Sequence, residues 1–117
     1  MTVQIQEGHA LTRLYDLLLW IIHVLNKYPK TQKFLLADRI ETVLLDIKDL
    51  LIQAAYSKQK TTFLYQANIK IEQVRYLIRL SKDLRYLGIK QYEYAAGKVN
   101  EIGREIGGWL KYARQRK

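Results

Sequence analysis

Arg75, Arg79 and Lys82 stand at i, i+4 and i+7, and Arg85 follows three residues later. On a helix this spacing puts the first three cations on one face, where they repel one another. Phosphate oxygens laid along that face would relieve the repulsion, so the chemistry on offer is polyanion binding. The alternative is a solvated face partly neutralised by Glu72 and Asp83. Exposed ion pairs are worth only ~0–1 kcal/mol either way, so the spacing alone leaves both readings open. Tyrosines interleave with the cations in "RYLIRLSKDLRYLGIKQYEY" and "KYARQRK", and six of the nine lie beyond residue 59. Aromatic faces stack unpaired bases while cations hold phosphates. For most of these tyrosines the expectation is instead a helix–helix or subunit interface, where an apolar body with a polar tip suits both sides. Arg104, Lys111, Arg114, Arg116 and Lys117 extend the basic set to the end of the chain.

The charge is unevenly placed. Residues 1–58 hold seven basic and six acidic side chains, whereas residues 59–117 hold thirteen and five, within a total of +9. Such asymmetry points to a polyanionic partner: nucleic acid, an anionic membrane surface or an acidic protein face. A surface charged only for solubility is the competing reading.

Groups that make and break bonds are scarce. His9 and His23 are the only histidines, Ser57 and Ser81 the only serines, and there is no cysteine. His9 is expected in a frayed terminus and His23 in a core or boundary position. Asp46 with Asp49, and Glu101 with Glu105, share helix faces, but neither pair has the Glu-x-x-His partner of a di-metal bundle. The glycines of "GREIGGW" lie inside a helical pattern rather than after a strand, so no phosphate loop is present. No catalytic residue, metal or cofactor is expected.

The elements that must position the cations are helical. At 117 residues one domain is the default. "LTRLYDLLLWIIHVLNK" (11–27) is apolar nearly all round, which predicts a buried helix. Pro29 ends it. Residues 32–58 carry Leu36, Ile40, Val43, Ile47, Leu50 and Ala54 in heptad-like steps. "SKQKTT" breaks the pattern, with Thr61 or Thr62 as a candidate cap for a third helix over 62–87. That helix shows two apolar sets: Leu64, Ala67, Ile71, Val74 and Ile78, then Leu77, Leu80, Leu84 and Leu87. Two sets predict partners on two faces. Gly88 is expected as the left-handed residue closing the helix. A fourth helix over about 90–113 buries Tyr92, Ala95, Val99, Ile102, Ile106, Trp109 and Ala113. The expected architecture is all-α, an antiparallel up-down four-helix bundle. The run "LLLWII" is too short to span a bilayer, and "MTVQIQEGHA" lacks the basic start of a signal peptide, so a cytoplasmic protein is expected.

The last helix spends three glycines in six positions: Gly103, Gly107 and Gly108. Each costs a helix interior about 1 kcal/mol relative to alanine. Gly103 and Gly107 share a face, and Ala96 lies two turns before Gly103. Small residues so spaced let a backbone or a large ring approach, inside the bundle or from a neighbouring subunit. For Gly107 and Gly108 a locally weak helix end is the alternative.

Taken together, "YDLLLW" (15–20), "YPKTQKF" (28–34) with "LADR" (36–39), "AAYS" (54–57), "RYLIRLSKDLRYLGIKQYEYAA" (75–96) and "EIGREIGGWLK" (101–111) resemble the accessory variability (Avd) family of diversity-generating retroelements. That family sits in a wider group of four-helix bundles that includes proteins encoded in intervening sequences of bacterial 23S ribosomal RNA genes. The resemblance spans about residues 11–111. It implies a non-enzymatic accessory subunit that forms a barrel-like homopentamer and binds the retroelement's reverse transcriptase and nucleic acid. Such a subunit supports copying of template-repeat RNA into adenine-mutagenised cDNA for mutagenic retrohoming. Arg75, Arg79, Lys82, Arg85, Arg104 and Lys111 carry over as candidate contacts. The alternatives are a related bundle binding ribosomal or other structured RNA, and a purely structural oligomer.

Overall fold

The computed structural model describes residues 2–115, with side chains from His9 onward. Every element among them is helical: α1 (Thr2–Leu25), a short α2 (Lys30–Gln32), a π-helical turn over Lys33–Ala37, α3 (Asp38–Tyr56), α4 (Lys60–Asp83) and α5 (Ile89–Gln115). The four long helices form an up-down bundle. α1 and α4 lie on one diagonal, each packed on both α3 and α5. The antiparallel sense of α1 and α5 is fixed by Trp20 against Tyr94, with ring centroids 4.5 Å apart, and by Arg13 against Glu101 at 3.4 Å.

The core follows the apolar stripes. Ile40, Val43, Ile47, Leu50 and Ala54 of α3 are buried, as are Leu64, Ala67, Ile71, Val74 and Ile78 of α4 and Val99, Ile102, Ile106 and Trp109 of α5. α1 departs from its expected full burial. Leu14, Leu17 and Ile21 are buried, but Tyr15 and Leu19 are 62% and 56% exposed. A bundle of four helices encloses only the inward side of each, so an all-apolar helix leaves apolar surface outside. The second apolar set of α4 divides in the same way. Leu87 is buried and Leu77 half-buried, whereas Leu80 and Leu84 are 46% and 48% exposed.

The ends of the elements differ from the expected bounds for identifiable reasons. α1 begins at Thr2, so His9 lies within a helix rather than in a frayed terminus, and His23 is exposed rather than in the core or at its boundary. The helix expected over 32–58 is interrupted by the π-turn, which buries Leu36 and Ala37 and leaves Phe34 and Leu35 outside. α4 is not capped by Thr61 or Thr62; it starts at Lys60, with no side-chain cap bond. The Lys60 ammonium instead reaches back to the α3 carbonyls of Ala54 and Ala55, at 2.9 and 3.0 Å. A cation there offsets the negative end of the α3 dipole.

α4 stops at Asp83, short of residue 87, and Gly88 does not close it. The left-handed residue is Arg85, at φ 68°. Tyr86 N–H donates to the Ser81 carbonyl at 2.8 Å and Arg85 N–H to that of Lys82 at 2.9 Å. This crossed pair is a Schellman closure, with arginine where glycine is usual. Gly88 instead begins α5. Its N–H donates to the Gln91 side chain at 3.0 Å, and its carbonyl accepts the first helical bond from Tyr92. That is one arm of a capping box.

Candidate nucleic-acid interface

α4 and α5 run side by side with a groove between them, and most of the predicted cations stand in it or on its rim. Arg75 is not a free cation. Its Nε donates to Asn100 Oδ1 at 3.1 Å, and Nη1 pairs with Glu72. A methyl group built on Gly103 would stand 2.9 Å from its Nη2. Lys82 lies 4.7 Å from the centre of the Tyr92 ring and 3.5 Å from the Asp83 carboxylate. At the far end of the groove, Arg114 donates to the Tyr65 hydroxyl at 2.8 Å and its guanidinium lies 5.5 Å from that ring.

Arg79, Arg85, Arg104 and Lys111 are exposed and have no hydrogen bond or ion pair among the described residues. Arg104 and Lys111 are seven apart on α5 and so share one outward face. Arg79 flanks the groove on α4. Arg85 stands apart, in the α4–α5 turn. Arg116 and Lys117 lie outside the described residues.

Of the three acids of α5, two are held on its other side; the third, Glu93, is exposed and lies seven residues before Asn100, toward α4. Glu101 and Glu105 face α1, where Arg13 reaches both at 3.4 and 3.5 Å; Lys98 approaches Glu101 at 3.7 Å and His9 approaches Glu105 at 3.6 Å. This segregation leaves the α4–α5 side with surplus positive charge. Glu72 and Asp83 do neutralise Arg75 and Lys82 in part, as the solvated-face reading requires. Among the described residues nothing comparable offsets Arg79, Arg104 or Lys111.

The small residues of α5 form the groove floor. At Gly103 the group that comes close is the Arg75 guanidinium, with Ile71 at 3.5 Å, not a backbone or a ring. At Gly107 nothing lies within 4 Å of a methyl position, so the expected squeeze is absent there within the single chain. Ala96 lines a cavity of about 330 Å³ shared with Glu72, Arg75, Tyr76, Arg79, Tyr92 and Asn100. Asn100 was not foreseen. It matters only because it faces α4, which helical spacing within α5 does not reveal.

A second groove lies on the α1–α3 side. It measures about 360 Å³ and is lined by Leu11, Leu14, Tyr15, Leu18 and Ile52, with Thr12 and Lys48 at its edge. Among the described residues no group of three or more metal-ligating side chains converges. No helix among them is long and apolar enough to cross a membrane.

A family model described as bAvd-like matches residues 10–113. The match spans all four long helices and both walls of the basic groove. No curated protein matches the chain.

Proposed function

The chain belongs to the bAvd-like family of accessory variability proteins, and from that premise we propose that it is a non-enzymatic accessory subunit of a diversity-generating retroelement. In this role it binds the template-repeat RNA and the reverse transcriptase and supports mutagenic cDNA synthesis. The observation that carries the RNA part is the α4–α5 groove, with Arg79, Arg104 and Lys111 unpaired around it among the described residues and two of the three α5 acids, Glu101 and Glu105, turned toward α1. The reverse-transcriptase part comes from the family.

Self-assembly belongs to the same reading. The apolar α1–α3 groove and the exposed Ile69 and Leu80 of α4, with Leu84 just past its end, lie on opposite sides of the bundle. Two different faces that pair head to tail build a ring where the rotation closes and an open filament where it does not, rather than a two-fold dimer. The interface is therefore proposed to join α1 and α3 of one subunit to α4 of the next. A ring would also gather several copies of the basic groove, and the number five comes from the family alone.

Reconstitution tests the proposal. Purified reverse transcriptase and template-repeat RNA are assayed for cDNA with and without the chain, and the assembly is sized by sedimentation equilibrium. The expected result is a ring-sized assembly that co-elutes with the polymerase and raises cDNA yield. Unchanged cDNA synthesis together with no RNA binding would leave a structural oligomer as the better account.

A further inference from the structure

The cavity in the α4–α5 groove has an interior unlike its rim. Inside, the Arg75 guanidinium is already committed to Asn100, Glu72 and the space over Gly103. The Glu72 carboxylate lines the same wall. The Arg75–Glu72 pair is therefore close to balanced, and a phosphate entering past it would meet that carboxylate. At the mouth of the cavity, Arg79 is unpaired among the described residues, and Lys82 stands over Tyr92 with only the Asp83 carboxylate, at 3.5 Å, against it. The rim suits phosphate, and the interior suits a neutral planar group with donors and acceptors on its edge.

We infer that this cavity takes one unpaired base of a single-stranded RNA, with the adjoining phosphates held outside by Arg79 and Lys82. The inference rests on the RNA-binding reading above and narrows it to unpaired strands. Tyr76 and Tyr92 supply ring faces for stacking, which every base accepts. Glu72 offers acceptor lone pairs beyond those used by Arg75. Asn100 accepts from Arg75 through Oδ1, which leaves its amide N–H groups to donate. Ala96 is half-buried in the lining, and its small side chain keeps the cavity open. A duplex keeps its base edges paired and its stacks closed, so it can reach only the rim. An acidic protein segment would likewise bind the rim and leave the interior empty.

The test is Ala96→Phe, which fills the cavity without touching a charge. Three probes of the full chain are compared at one salt concentration: a labelled single-stranded RNA, a duplex RNA of equal length, and inorganic polyphosphate as competitor. Sedimentation and circular dichroism check that the assembly is intact. The single strand should bind about tenfold more weakly, the size of one lost base–aromatic stack, while duplex and polyphosphate are unaffected. Equal affinity of parent and variant for the single strand overturns the inference, and so does an equal loss for all three probes. If the parent binds neither RNA nor polyphosphate, the RNA-binding reading itself fails. A second measurement needs no variant: single strands carrying 5-iodouridine are photo-crosslinked to the parent protein. Crosslinks to Tyr76 or Tyr92 are expected, and crosslinks confined to other residues would sink the base site even if Ala96→Phe fails to fold.

Discussion

The Arg75 guanidinium lies over Gly103, so close that a methyl group on the glycine would stand 2.9 Å from Nη2. The glycine gives α5 a hollow that lets the arginine reach Asn100. The contact is with the far end of a flexible side chain, which yields readily. Gly103→Ala should therefore leave stability nearly unchanged, because a helix-propensity gain of about 1 kcal/mol is set against a displaced ion pair. Gly107→Ala meets nothing and should stabilise the isolated fold by about 1 kcal/mol. Urea unfolding measures both. A loss of stability in Gly107→Ala, or a loss of the oligomer, would show that a neighbouring chain fills the space above it.

Arg85 holds a left-handed backbone at φ 68°, where an L side chain costs on the order of 1–2 kcal/mol. Among the described residues its side chain makes no hydrogen bond or ion pair that offsets this. Arg85→Gly should raise stability by about 1 kcal/mol, since glycine adopts this conformation freely. Thermal unfolding of the variant is the check, and an unchanged or lowered midpoint would argue against the strain. Strain kept in the fold is a pointer to use. The same variant should therefore bind RNA more weakly in spite of its added stability.

Tyr28 joins the α1–α3 connection to the α4–α5 turn, its ring 5.6 Å from that of Tyr86. Burial pushes its phenol above the ordinary value of 10.0, with the neighbouring Ser81 hydroxyl opposing the shift. The Ser81 hydroxyl donates to the Leu77 carbonyl at 2.9 Å, and among the described residues no hydrogen bond of good geometry reaches the Tyr28 oxygen. The folded pKa thus exceeds the unfolded one. The contribution is fully present below about pH 10 and is lost as pH rises through the folded value. Tyr28→Phe removes both the titration and a buried oxygen without a partner. At pH 7 it should be neutral or stabilising by up to about 1 kcal/mol. Between pH 9 and 11 its stability should fall less steeply than the parent's, as urea titrations across that range would register.

Apolar periodicity made the bundle legible. The buried positions of α3, α4 and α5 follow the spacing because a stripe of one polarity must face the core. Closures were harder to read. Gly88 has the residue type of a helix end, yet the turn is made three residues earlier by an arginine, which no propensity favours there. The π-turn at Lys33–Ala37 lies inside an unbroken apolar pattern and leaves no mark on it. In the candidate site the cations were visible as a run, but their states were not. Arg75 and Arg79 share a face, and only the structure distinguishes a clamp between helices from an unpaired charge. That distinction depends on Asn100 and Gly103, which belong to another helix.

Arg75 is tied to α5 and, among the described residues, Arg79 is not, so charge removal at the two positions has different consequences. Replacing all of Arg75, Arg79 and Lys82 would remove charge and also break the Arg75 link between α4 and α5. A cleaner set is Arg79, Arg104 and Lys111, which are exposed and unpaired among the described residues. Exchanging these for glutamine keeps side-chain length and helix propensity. Cations that neutralise phosphates on a single strand release counterions, giving a slope of log affinity against log salt of about −0.7 per phosphate. The triple variant should weaken RNA binding at low salt for every sequence alike. Its slope should be shallower by up to about 2, the sum of three such contacts. Arg75→Gln alone should change the slope little and instead lower stability, because it frees Glu72 and Asn100 from their partner. The two variants therefore separate on two axes, salt slope and unfolding midpoint. If Arg75→Gln flattened the slope as much as the triple exchange, Arg75 would have to leave Glu72 to meet phosphate when RNA arrives, and the balanced Arg75–Glu72 pair would not survive binding.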